Sequence, residues 1–125
     1  SWWNMQIEIK SRNGIAITDD LRAHAAKRFE KVDRMVSDLA RLELELMDES
    51  NPAIANHFCV DATLYVKGKT LRASESSFDL KHAMHEVSDE LARQVDKLLA
   101  KRRARRSAHK LSAKQMGMRQ PGMSA

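Results

Sequence analysis

Four segments of this chain alternate apolar and polar residues at every second position, and that alternation constrains the fold more than anything else in the sequence. MQIEIKS (5–11) sets Met5, Ile7 and Ile9 on one side; RLELELMD (41–48) sets Leu42, Leu44 and Leu46; HFCVDATLYV (57–66) sets Phe58, Val60, Ala62, Leu64 and Val66; KTLRASE (69–75) sets Leu71 and Ala73. A two-residue period is that of a strand buried on one face only. A sheet built from such strands has one apolar face that must be covered and one that stays wet. Lys67-Gly68-Lys69 reads as a tight turn, and ESNPAIAN (49–56) as a loop, so the last three strands form an antiparallel meander.

The cover comes from two helical patterns. After a turn at Asn13-Gly14, Thr18 followed by Asp19 and Asp20 is an N-cap with acids in the first turn, where the helix dipole favours them. Leu21, Ala25, Phe29, Val32, Val36 and Leu39 then recur at three- and four-residue steps, one apolar stripe of a single helix. His24, Lys27, Arg28, Lys31 and Arg34 gather on one flank of it, within about 120° of azimuth at ~100° per residue. Ser76 and Ser77 are N-cap candidates for a long second helix with Leu80, Ala83, Met84, Val87, Leu91, Val95 and Leu98 in its stripe. That stripe ends near Leu99; from Lys101 charge covers every azimuth, so the helix either continues as a basic rod or frays.

The resulting order, β-α-β-β-β-α, calls for an α+β two-layer domain: a four-stranded sheet with two helices packed on one face. The first helix would be a right-handed crossover between parallel strands one and two. We assign residues 5–106 to this domain, 107–125 to a flexible basic tail or linker, and SWWN (1–4) to a cloning remnant or extension ahead of Met5.

Charge is unevenly distributed. The net charge is +5, yet residues 97–125 hold nine Lys or Arg and no acid, which leaves residues 1–96 with 22 − 9 = 13 bases against 17 acids. No apolar run approaches the ~18 residues of a membrane span and the N-terminus lacks a signal-peptide layout, so a cytoplasmic protein is expected. A lone cysteine, Cys59, agrees with a reducing compartment.

Catalytic constellations are weak. His57, Cys59 and Asp61 share one strand face, but neighbours two apart on a strand stand about 6.6–7 Å from each other, too far for a base and its nucleophile. His82, His85 and Asp89 share a helix face without a second ligand pair to complete a metal site. Glu86, Asp89, Glu90 and Asp96 read as solubilising charges, and the four glycines are dispersed, with no phosphate-binding loop. We expect no enzyme activity, no metal and no cofactor.

The basic features carry more. AKRRARRSAHK (100–110) places six Lys or Arg in eleven positions, and the flank of the first helix is independent of it. Side by side on one sheet face, the two helices would put His24 to Arg34 and Lys97, Lys101, Arg102, Arg103, Arg105 and Arg106 on a shared outer surface bordered by Lys81 and Arg93, suited to neutralising phosphates. Single-strand readers need exposed aromatics. Here Phe29 and Phe58 fall at core positions, Phe78 leads into the second helix beside the core, and only Tyr65 faces solvent. That pattern suits folded RNA read by backbone and shape.

Residues 58–106, FCVDATLYVKGKTLRASESSFDLKHAMHEVSDELARQVDKLLAKRRARR, resemble the bacterial ribosome hibernation promoting factor and ribosome-associated inhibitor family, also called sigma-factor modulation proteins. IEIKSRNGIAITDDLRAHAAKRFEKVDRM (7–35) is similar to its opening strand and first helix. The resemblance implies a fold related in shape to double-stranded-RNA-binding domains, lodged in the small ribosomal subunit on 16S rRNA. There it would exclude messenger RNA and the A- and P-site transfer RNAs, stop initiation and store idle ribosomes. It carries rRNA contacts onto Arg22, Arg28, Lys31, Arg34, Arg93, Lys97 and Lys101; of these only Arg22 lies on the other edge of the basic flank. Lys81 stands where many relatives have Tyr, adding a base, and Glu90 where many have Lys, weakening that contact. Long-form relatives carry a second, dimerising domain after a linker, and residues 107–125 are either such a linker or the end of a short member. Two other readings are a protein-binding sigma-factor regulator and a general double-stranded-RNA binder.

Overall fold

The computed structural model describes residues 5–49, 51, 53 and 55–116. The elements are β1 (Gln6–Arg12), α1 (Asp19–Arg28), α2 (Glu30–Met35), β2 (Arg41–Asp48), β3 (Phe58–Val66), β4 (Lys69–Ser77) and α3 (Leu80–Gln115). Among the described residues, those up to Val95 form one compact unit and those from Asp96 onward a second.

In the first unit the four strands lie in the order β1-β2-β3-β4, with β1 parallel to β2 and the other pairs antiparallel. The register sets Ile9 beside Leu44, Leu44 beside Ala62 and Ala62 beside Ala73, so the two-residue alternation of all four strands converges on one face. Leu42, Leu44, Leu46, Val60 and Leu64 are fully buried there. Burying each such side chain contributes about 1.5–3 kcal/mol before entropy is charged against it. Two turns depend on left-handed backbone: Asn13 and Gly14 (φ 59° and 79°) after β1, where Asn13 Nδ2 donates to the Asp48 carbonyl at 3.1 Å, and Gly68 (φ 73°) between β3 and β4.

Thr18 caps α1 as its sequence suggests, its Oγ1 accepting the Leu21 amide at 3.1 Å. The first helix is not continuous, however. It breaks at Phe29 (φ −93°, ψ 10°), which ends α1 and opens α2 with its ring fully buried. The chain leaves α2 at Val36 in extended backbone, so Leu39, expected in the apolar stripe, is 82% exposed and Ala40 takes the buried place. Periodicity overran the helix end because no Gly or Pro marks it. Asp33, unremarked in the sequence, is buried in α2 and accepts the Met5 amide at 2.7 Å, fastening the start of β1 to the helix layer.

At the other end of the sheet Asp79, not Ser76 or Ser77, caps α3: its Oδ1 accepts the Lys81 amide (3.2 Å) and its carbonyl the Ala83 amide (3.0 Å). Ser77 is buried and its Oγ accepts the Asp79 amide at 3.2 Å. The buried stripe Ala83, Met84, Val87, Ser88, Leu91 and Val95 completes the core of the first unit. Ser88 is accommodated by donating to the His85 carbonyl one turn back, at 2.7 Å.

The second unit is helical through Gln115. Residues 107–115, expected as flexible tail, are therefore helix; the lack of apolar periodicity that suggested a tail is the lack of a buried face, not of helix-forming residues. Ala, Leu, Lys and Gln, all strong helix formers, make up most of the segment. Met116 follows the helix as an exposed turn residue, and residues 117–125 of the expected tail, with residues 1–4, lie outside the described residues.

Candidate nucleic-acid interface

All the cations singled out in the sequence lie on helices. On α1 and α2, Arg22, Lys27, Arg28 and Arg34 are exposed, while His24 and Lys31 are half-buried; on the first-unit part of α3, Lys81 and Arg93 are exposed. The structure adds partners that a helical wheel cannot show. Lys31 donates to Asp89 Oδ1 across to α3, Arg34 pairs with Glu30 one turn away, and Arg93 grips Glu90 through Nε and Nη2 at 3.0 and 2.7 Å. Lys81 lies 3.7 Å from Asp20. Arg28 Nη1 approaches His85 Nδ1 at 3.4 Å, and His85 Nε2 faces the second oxygen of Asp89 at the same distance. A chain Lys31–Asp89–His85–Arg28 thus ties α1 and α2 to α3 on the surface away from the sheet. Asp89, Glu30 and Glu90, which read as solubilising charges or went unremarked, are the carboxylates that hold this basic face.

His24 is the electrostatic oddity of the face. Its Nε2 is buried and has no hydrogen-bond partner. Burial, and then the nearby cations Lys81 and Arg28, lower its pKa below the usual histidine value, against a smaller opposing pull from Asp20 and Asp79. Desolvation and like charge both disfavour the imidazolium, so the neutral ring is favoured at this site.

The second unit is different in kind. Lys97, Lys101, Arg103, Arg105 and Arg106 are exposed along α3, and Arg102 is half-buried. No acid occurs from residue 97 to the end of the chain. Because the helix continues to Gln115, Lys110 and Lys114 extend the same cationic segment, two bases that the sequence reading left in a tail.

The competing chemistries do not assemble. His57 Nδ1 pairs with Asp48 Oδ1 (2.7 Å), Cys59 Sγ contacts Ser76 Oγ (3.1 Å) and Asp61 accepts from Ser74 Oγ (2.6 Å), so the three residues of that strand face each turn to a different partner. His82 pairs with Glu86 at 2.5 Å, away from the His85–Asp89 contact. Among the described residues no group of three or more His, Cys, Asp or Glu is placed to hold a metal ion, and no helix is long and apolar enough to cross a membrane. Tyr65 does face outward from the sheet, but the Arg41 guanidinium covers its ring at 4.2 Å and its hydroxyl donates to Glu43 Oε2 at 3.2 Å. Phe58 is half-buried against the His57 ring, 4.2 Å between centroids. Phe78 departs from expectation: it is 71% exposed, because the Ser77 and Asp79 backbone is pinned to the helix cap and turns the intervening side chain outward.

A family described as "Sigma 54 modulation protein / S30EA ribosomal protein" matches residues 7–103, from β1 into the basic part of α3. The chain belongs to this family. Within the Sigma 54 modulation protein / S30EA family it is similar to a ribosome hibernation promotion factor of Picosynechococcus, 29% identical over 86 residues, 68% of this chain and 45% of that one. A ribosome hibernation promotion factor of Deinococcus radiodurans is 30% identical over 95 residues, 74% of this chain and 49% of that one. The chain thus spans about half the length of these two curated relatives. Against a ribosome-associated factor Y of Haemophilus influenzae it is 30% identical over 107 residues, covering 86% of this chain and 94% of that one. The fold is that of the Thermus thermophilus Protein Y N-terminal domain, with a TM-score of 0.65 at 23% identity over 75% of this chain and 99% of that one. A ribosomal subunit interface protein of Coxiella burnetii gives a TM-score of 0.63 at 20% identity, covering 77% and 99%. The α+β reading of the sequence and the family resemblance both hold.

Proposed function

We propose that the chain is a ribosome hibernation factor: a non-catalytic protein that binds 16S rRNA of the small ribosomal subunit, excludes messenger and transfer RNA from the A- and P-site channel, and so holds idle ribosomes out of translation. The observation that carries this reading is the acid-free helical run from Lys97 to Gln115, with exposed Lys97, Lys101, Arg103, Arg105 and Arg106, at the end of a domain whose family match covers residues 7–103. Cations without internal carboxylates condense on phosphate and gain by releasing its counterions, at a slope of about −0.7 to −0.9 in log K against log salt for each contact. On α1 and α2, His24 and the cations Arg22, Lys27, Arg28, Lys31 and Arg34, with Lys81 and Arg93, supply the remaining rRNA contacts. Inhibition is steric occupancy, with no bond made or broken and no cofactor consumed. Pairing of ribosomes would require a further dimerising segment outside residues 5–106.

Converting Arg28, Lys31, Lys97 and Lys101 together to Glu is expected to abolish sedimentation with small subunits while leaving the far-UV circular dichroism unchanged. An unchanged ribosome-bound fraction in the folded variant would refute the assignment of these cations to rRNA binding. The family is also described by sigma-54 modulation, and nuclease treatment separates that reading: a protein partner stays bound after RNA is digested.

A further inference from the structure

Three of the cations on the helix face of the first unit are held by carboxylates of the same face: Lys31 by Asp89, Arg34 by Glu30 and Arg93 by Glu90. Building on the rRNA-binding reading, we propose that Asp89, Glu30 and Glu90 are specificity-determining residues that mask this face from RNA in general and yield only to phosphates arrayed to match it.

The physical basis is the source of non-specific affinity. RNA binds a free lysine or arginine because ion release accompanies the contact, whereas a cation already neutralised by a protein carboxylate brings the RNA much less. The phosphate must instead displace the carboxylate or sit beside it against its repulsion, and only a closely fitted array of contacts offsets that. The pairs are weak enough to be exchanged: partly exposed ion pairs of this kind shift an equilibrium by a factor of about one to five each, or up to about a hundredfold for three together. They are also placed to act collectively. Asp89 is the most constrained, with Oδ1 taken by Lys31 and Oδ2 facing His85, which in turn meets Arg28, so one carboxylate restrains cations on α1 and α2 at once. Glu90 receives both Arg93 and Gln94 Nε2, the latter at 3.3 Å. The second unit opens on a single acid, Asp96, and none follows it in the sequence. Its attraction to RNA is indiscriminate by construction, and discrimination falls to the masked face.

The test uses the full chain and two ligands, purified small subunits and a short RNA duplex of arbitrary sequence, titrated across a salt series. The E30Q/D89N/E90Q variant is expected to bind the duplex about tenfold or more tightly than the unmodified protein, with the salt slope steeper by about 0.7–0.9 for each cation released. Its affinity for the small subunit should rise less, so that the ratio of the two affinities falls. The comparison variant is E8Q/E45Q/D61N, which removes the same charge from the outer face of the sheet, where Glu45 pairs with Arg12 at 2.9 Å and Glu8 with Lys10 at 3.8 Å. It is expected to change duplex binding less than about threefold, as a change in net charge remote from the contact face would. No gain on the duplex, or an equal gain in both variants, would overturn the masking proposal. D89N alone gives the same readout at smaller amplitude should the triple variant fold poorly. Failure of the unmodified protein to bind small subunits would overturn the proposed function instead, and the duplex arm would still decide the masking.

Discussion

The helices of the first unit carry seven Lys or Arg in 32 residues and the helix of the second eight in 20, and the two regions use that charge differently. Along α1, α2 and the start of α3, four of the described arginines and lysines each meet a carboxylate, Lys31, Arg34 and Arg93 closely and Lys81 at 3.7 Å, a fifth meets His85, and the face is anchored to a fully buried stripe. From Lys97 onward the helix has bases on every side, no acid after Asp96 and little to bury. The first region is a fitted surface whose charges are restrained before any partner arrives. The second is a polycation whose helix resists its own charge. The contrast suggests a division between recognition and attraction, and each side of it can be broken separately.

The largest effect is expected from the core that supports the fitted surface. Phe29→Ala, at the break between α1 and α2, should cost about 3–5 kcal/mol in denaturant unfolding, whereas Leu111→Ala, at a residue 58% exposed in the second unit, should stay within about 0.5 kcal/mol. Next comes charge reversal. K97E/K101E/R105E/R106E should weaken small-subunit binding about a hundredfold or more at moderate salt and flatten the salt slope by about 3, whereas R22E/K27E/K31E/R34E should cost less, because two of its four cations are already carboxylate-bound. Equal losses would erase the distinction between the two regions.

A smaller effect concerns pH. Neutral His24 is favoured in the folded state, so its folded pKa lies below the ordinary value of 6.5. The unfolded chain therefore takes up more protons as pH falls through 6.5, and stability present above that value is lost progressively toward the folded pKa. Thermal midpoints should drop between pH 7 and pH 5.5 in the unmodified protein, and His24→Gln should reduce that dependence. The smallest effect belongs to the second helix. Lys97/Lys101, Lys101/Arg105, Arg102/Arg106, Arg106/Lys110 and Lys110/Lys114 are like-charge neighbours one turn apart, each costing about 0.2–0.5 kcal/mol of helix stability. Added salt, or inorganic phosphate at lower concentration, should raise helicity measured by circular dichroism; an unchanged signal would show that the repulsion is negligible.

The sheet was legible because each strand alternates strictly, and a one-residue slip between Leu42–Leu46 and Val60–Leu64 would have turned one set to water. The cations were legible for the same reason, as a flank at helical spacing. What could not be read was who meets whom across elements. The Lys31–Asp89 pair joins residues 58 positions apart, and the Asp33 contact with the Met5 amide joins residues 28 apart. The exit at Val36 and the exposure of Leu39 escaped because residues 36–39 continue the apolar step after the helix has ended. Residues 107–115 escaped for the opposite reason: a helix without an apolar face leaves no period to detect, and only the propensity of its residues points to it.

The most direct test is sedimentation of the purified chain with salt-washed small and large subunits, at low and moderate salt, with transfer RNA as competitor. Co-migration with the small subunit alone is expected, weakened as salt rises and lost when transfer RNA is added. Absence from both subunits at low salt, or binding to the small subunit that transfer RNA leaves unchanged, would contradict occupancy of the channel.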